Sequence, residues 1–133
     1  MDIAVIGSNM IDLVTYVNRM PDQGETLDAR EFHMGHGGKG ANQAIAASRL
    51  GSEVLMLSRV GNDPFSDQTI ANFEANGIDS THVLRTETSS GVAPIFVDPQ
   101  ANNSILIVRG ANSELSPADI EEASEALAQC KLI

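Results

Sequence analysis

The sequence predicts an α/β fold: a mostly parallel sheet covered by helices, with two β-hairpins standing off it as a small separate layer. Three observations point there. Short apolar stretches, IAVI at 3–6 and the segment from Glu53 to Val60, have the character of strands buried on both faces. Helix-forming segments at 41–50 and 64–76 alternate with them. Two turn-rich stretches, Pro21 to Gly24 and DPQANN at 98–103, each separate extended segments in the manner of hairpins.

Taken in order, IAVI is stopped by Gly7 and Ser8 and reads as a central strand. Leu13 to Asn18 is β-branched and aromatic, and Thr26 to Met34 returns as a more polar extended piece, so 13–34 is expected to form a hairpin that leaves the main sheet. Ala41 to Leu50 is a good helix former throughout, with Ala41, Ala44, Ile45 and Ala47 on one side and Gly51 placed to end it as a C′ residue. Pro64 to Asn76 reads as a second helix with Ile70 and Phe73 inward, ended by Gly77. From Gly91, VAPIFV and SILIV around DPQANN predict a second hairpin over 91–109. Ser116, Pro117 and Asp119 start a last helix as N-cap, N1 and N3, and it is expected to run to Gln129. The closing CKLI resembles the first residues of a further buried strand, from which the chain is expected to be truncated.

A chain of 133 residues is one domain's worth. Eight Lys and Arg against 18 Asp and Glu give a net charge of −10, which opposes the counterion release that drives nucleic-acid binding. The lone Cys130 excludes an internal disulfide and a Cys-rich zinc site. No apolar run approaches the ~20 residues of a membrane span, and MDIAVIGS lacks the pattern of a signal peptide, so the cytoplasm is the expected compartment and no membrane partner is expected.

GHGGKGANQAIAA at 35–47 packs glycines and Lys39 against a helix start. A phosphate-binding P-loop needs glycine five positions before the Gly-Lys pair and Ser or Thr after it, where this chain has His33 and Gly40. A dinucleotide fingerprint is also unsupported, because Gly7 to Asp12 lacks the second and third glycines. His33 and His36 have neither a carboxylate nor a third ligand beside them, so no metal site is expected. Glu121, Glu122 and Glu125 read as a solvated helix face, and Asp63 as a turn or cap residue.

GSNMID, PDQGET, GGKGANQA, VGND, SSGVAPIFV and GANSELSP together resemble the N-terminal part of a ribokinase-type, or pfkB-type, carbohydrate kinase over nearly the whole chain. GGKGAN followed by Ala44, Gly51 and Gly61 falls at the spacings of that family's first signature, and the lysine with SGVAPIFV is closest to the ribokinase and deoxyribokinase branch. The resemblance implies that Asp12, Gly38, Lys39, Gly40 and Asn42 bind a pentose, with Ala93 and Ile105 on the apolar side of the site. The side chains suit a polyol: an ionised Asp accepts from neighbouring hydroxyls, Lys donates, and Asn does both. Outside this context Lys39 is an ordinary solvated loop lysine, Asp12 a turn residue and Met10 a core filler.

Where ribokinases carry Asn two residues before the aspartate, this chain has Met10. A thioether is only a weak acceptor, so Met10 is expected to favour a sugar without the 2-hydroxyl, which points to 2-deoxyribose, with D-ribose as the alternative. The resemblance further implies a β-lid formed by the two hairpins, a homodimer joined through that lid, and ATP with Mg, alongside a candidate monovalent cation, as cofactors of the full-length enzyme. The ATP-binding and catalytic half lies outside the chain on this reading, so no catalytic residue and no bound cofactor are expected in it. A non-catalytic sugar-binding or lid-interaction fragment is the competing expectation.

Overall fold

The computed structural model describes all of residues 1–133. The elements are β1 (Ile3–Ile6), β2 (Met10–Tyr16), β3 (Glu31–Gly37), α1 (Lys39–Arg49), β4 (Val54–Val60), α2 (Pro64–Ala75), β5 (Asp79–Arg85), β6 (Val92–Val97), β7 (Asn103–Ile105), α3 (Pro117–Glu122) and α4 (Ser124–Ala128), with a 3-10 turn at Gly110–Glu114 before α3. No helix is long and apolar enough to cross a membrane.

The main sheet is wholly parallel in the order β1-β4-β5. β4 is its centre, and the two-residue period of a strand sends its side chains alternately to two cores. Val54, Met56 and Val60 pack with Ala41, Ala44 and Phe73 of α1 and α2 on one face. Leu55 and Leu57 pack with Ala123 and Leu127 of the C-terminal helices on the other. Arg59 continues the second face, and its guanidinium meets the buried Asp119 carboxylate, with Nε at 3.0 Å. The two long helices stop where expected, at Gly51 (φ 96°) and Gly77 (φ 72°), both in the left-handed region that favours glycine.

The second sheet has four strands in the order β3-β2-β6-β7. Both expected hairpins are present as antiparallel pairs, β2 with β3 and β6 with β7. They join into one sheet through the parallel pairing of β2 with β6. β3 begins at Glu31, later than the extended segment expected from Thr26. β7 covers only Asn103–Ile105 of the expected SILIV strand, and Pro94 supplies the reason. Leu106 N–H reaches the Pro94 carbonyl (2.9 Å), but proline has no N–H to return, so the ladder breaks before resuming at Val92 and Val108.

Three further differences have physical causes. β5 was not expected, because DSTHVLR carries no apolar run; as the edge strand of the sheet it buries only Val83. The last helix is interrupted at Ala123, which is buried against β4 and separates α3 from α4. Leu132 pairs in parallel with Ile3, and its carbonyl accepts the Ala4 N–H (2.9 Å), as a strand would, yet Leu132 and Ile133 are exposed rather than buried.

The two sheets meet at a crossing of three segments near Gly61, Ser89 to Gly91, and Gly110 to Asn112. There Gly61 N–H bonds to Ser90 Oγ (3.0 Å), Ala111 N–H to the Ser89 carbonyl (2.8 Å), and Ile11 N–H to the Gly91 carbonyl (2.9 Å).

Candidate functional site

β2 starts directly above the N-terminus of α1, and the period of the strand puts Met10 and Asp12 on the same face. The parallel register sets Ala93 of β6 beside Asp12, and Ile95 pairs in turn with Ile105 of β7. The result is a cleft of about 650 Å³ between the second sheet and α1. Met10, Asp12, Gly38, Lys39, Asn42, Ala93 and Ile105 line it, so seven of the residues singled out from the sequence come together in one cavity.

Gly40 does not line it. It packs on the turn after β1 instead, where an added Cβ would stand 2.8 Å from the Gly7 backbone. Its part is to let α1 approach that turn, where Ala41 N–H bonds to the Ser8 carbonyl (3.0 Å). Gly38, the N-cap, has φ 97° and lies against Ser8 and Asn9, a position and conformation open only to glycine. Because Asn42 N–H returns to the Gly38 carbonyl (2.9 Å) and Ala41 N–H goes to Ser8, the N–H groups of Lys39 and Gly40 are the ones left without a backbone carbonyl.

The cleft is polar at one end and apolar at the other. Asp12 lies over Gly37, where a Cβ would meet Oδ1 at 2.6 Å, so the glycine makes room for the carboxylate. Burial pushes the Asp12 carboxyl above its ordinary value, and the charge of His36 draws it only partly back. Asp12, Lys39 and Arg109 take part in none of the four ion pairs of the chain. Two cations and one carboxylate without protein partners, in a cleft whose other end is Ile95, Ile105 and Ile107, suit a small ligand with several hydroxyls on one side.

Ser8, Ile95, Ile107, Arg109 and Asn112 also line the cleft and were not singled out from the sequence. Ile95 could have been found by the alternation of VAPIFV from Ala93. Arg109 and Asn112 belong to the 3-10 turn region, whose approach to residue 10 depends on tertiary structure alone. His33 and His36 lie on β3 outside the cleft, and no three His, Cys, Asp or Glu side chains gather as a metal-binding group. Asp63 is the N-cap of α2: its Oδ1 accepts from Ser66 N–H (3.1 Å).

Comparison with known proteins gives a consistent picture. The sequence model described as "pfkB family carbohydrate kinase" matches residues 1–133. A deoxyribokinase of Salmonella typhi is 61% identical over 134 residues, covering 100% of this chain and 44% of its own length. A ribokinase of Mus musculus is 39% identical over 132 residues, covering 98% and 41%. The structure of Arabidopsis thaliana ribokinase complexed with ribose and ATP superposes with a TM-score of 0.80 at 30% identity, over 90% of this chain and 41% of that one. The chain thus spans less than half the length of the relatives it matches.

Proposed function

Because the chain belongs to the pfkB family of carbohydrate kinases, we propose that it forms the sugar-binding part of an ATP-dependent pentose kinase that phosphorylates the 5-hydroxyl of 2-deoxyribose. The observation that carries this reading is the cleft in which Asp12, Lys39 and Asn42 stand beside Met10. Asp12 accepts hydrogen bonds from two sugar hydroxyls, Lys39 and the first N–H groups of α1 donate to hydroxyl oxygens, and Asn42 does both. Ala93, Ile95 and Ile105 cover the apolar face of the ring.

Met10 faces the position where a ribose 2-hydroxyl would need a partner. A buried hydroxyl without one loses a hydrogen bond it had in water, which costs about 1–3 kcal/mol. A sugar with hydrogen at that position loses nothing. The higher identity to a deoxyribokinase than to a ribokinase supports the same choice.

Phosphoryl transfer also needs a base for the 5-hydroxyl and a site for ATP with its Mg ion. The chain spans 44% of the length of the deoxyribokinase relative, and we assign these parts to a further portion of the protein. Residues 1–133 then act as the N-terminal part of the kinase domain, its segments about 13–34 and 91–109 forming a lid that excludes water. A second copy of the chain is the proposed partner of the lid's outer face.

The test is a comparison of kcat/KM for 2-deoxyribose and D-ribose in the complete protein carrying this chain. Met10→Asn is expected to move the ratio toward ribose by roughly 10-fold or more. A wild type that prefers D-ribose would remove 2-deoxyribose as the assigned substrate, and an unchanged ratio in Met10→Asn would remove Met10 as the residue that selects it.

A further inference from the structure

Asn112 is bonded to the groups that surround the Met10 side chain. Its Oδ1 accepts the Asn9 N–H (3.0 Å), while its Nδ2 donates to the Asn9 carbonyl (2.8 Å) and to the Arg109 carbonyl (2.9 Å). The same Nδ2 stands 3.5 Å from Met10 Sδ. One amide thus satisfies both backbone groups of residue 9 and touches the sulfur of residue 10. Gly91 closes the remaining side: a Cβ there would lie 2.6 Å from Met10 Sδ and 2.9 Å from the Asn9 carbonyl.

Methionine has three rotatable side-chain bonds and a soft thioether, so it does not hold one conformation unaided. A mobile Met10 could withdraw from beside Asp12 and leave space for a hydroxyl with a water bridging to it. A fixed one presents a wall that offers a hydroxyl nothing. Selectivity by omission of a partner therefore needs the side chain to be immobilised, and the bonds around Asn112 supply that.

We propose that Asn112 is a positioning residue that fixes Met10 and so sets the pentose selectivity of the site; this rests on the assignment of Met10 made above. Although Asn112 also borders the cleft, its amide is committed to protein groups, so its effect on the sugar passes through Met10.

The experiment is a cycle in the complete protein: wild type, Asn112→Ala, Met10→Ala and the double variant, each with kcat/KM for both sugars and a thermal melt. Asn112→Ala is expected to lower the preference for 2-deoxyribose roughly 3- to 10-fold when Met10 is present and to leave the ratio unmoved in the Met10→Ala background. A ratio unmoved in both backgrounds, with only the melting temperature lowered, makes Asn112 purely structural and overturns the proposal. An equal change in both backgrounds makes it a direct sugar contact and overturns it as well. Should Asn112→Ala fail to fold, Asn112→Asp keeps the volume and the bond from Asn9 N–H while deleting the donors, and the same cycle applies. Met10→Asn separates the two readings: if it shifts the ratio and the Asn112 variants do not, only the positioning role falls, and if it does not shift it, the assignment of Met10 as the selectivity residue has failed.

Discussion

Asp12 keeps a charge that its surroundings do not reward. Burial raises its carboxyl above the ordinary value, His36 offsets this in part, and no ion pair compensates. The sign follows: with the folded pKa above the unfolded one, the ionised group destabilises the fold at neutral pH, and that penalty fades as pH falls through the raised pKa. Asp12→Asn is therefore expected to leave the melting temperature at pH 7 unchanged or higher. On the proposed sugar-binding reading, losing a charged acceptor for two hydroxyls should weaken sugar binding by roughly 10- to 100-fold, measured by calorimetric titration. Binding by the wild type should weaken on acidification from a higher pH than an ordinary aspartate would give. Lower stability with intact affinity would contradict this account. At this scale the cleft residues near the start of α1 were legible, since Met10, Asp12, Lys39 and Asn42 lie in two short segments flanking one turn-rich connection. Asn112 was not, because two of its three backbone bonds run to residue 9, a hundred positions away, and side chain to backbone pairing leaves no pattern in a sequence.

Among the elements, α2 is anchored at its start by a residue that also holds the chain before β6. Asp63 caps the helix through Ser66 N–H, and its two oxygens also accept from Ser90 Oγ (2.8 Å) and Ser90 N–H (2.7 Å). Burial pushes this carboxyl up, but the bonds from Ser90, Ser66 and Phe65 outweigh it and hold the pKa below the ordinary 3.8. Here the linkage has the opposite sign to that of Asp12: stability is fully present above the unfolded value and is lost as pH falls through the lowered folded one. Asp63→Ala should cost about 2 kcal/mol of stability at pH 7 by combining a lost cap with an unpartnered Ser90 N–H. Chemical denaturation at pH 7 measures the loss, and a curve indistinguishable from wild type would refute it. The capping role was readable from Asp63-Pro64; the grip on Ser90 was not. Nor was β5, since an edge strand with solvated side chains lacks the apolar signal that revealed β1 and β4.

As a whole molecule, the chain is an α/β/α layer with an apolar second sheet attached. Phe32 is 61% exposed on the face of β3 turned away from Gly35 and Gly37, and Leu106 is 64% exposed at the far edge. Exposure of this kind along one sheet fits the proposed contact with a second copy. Phe32→Glu is expected to shift sedimentation of the complete protein toward monomer, whereas an unchanged sedimentation coefficient would exclude this face from any dimer. The hairpins themselves were legible from their turns, but the parallel pairing of β2 with β6 joins strands some eighty positions apart and is announced by nothing local. The crossing near Gly61, Ser90 and Ala111 has a mechanical result. It makes the second sheet a beam clamped at one end. Met10 adjoins Asn9, which is bonded to Asn112, and Ile107 adjoins Val108, which is bonded to Val92, so the floor and the roof of the cleft are both anchored at the clamp.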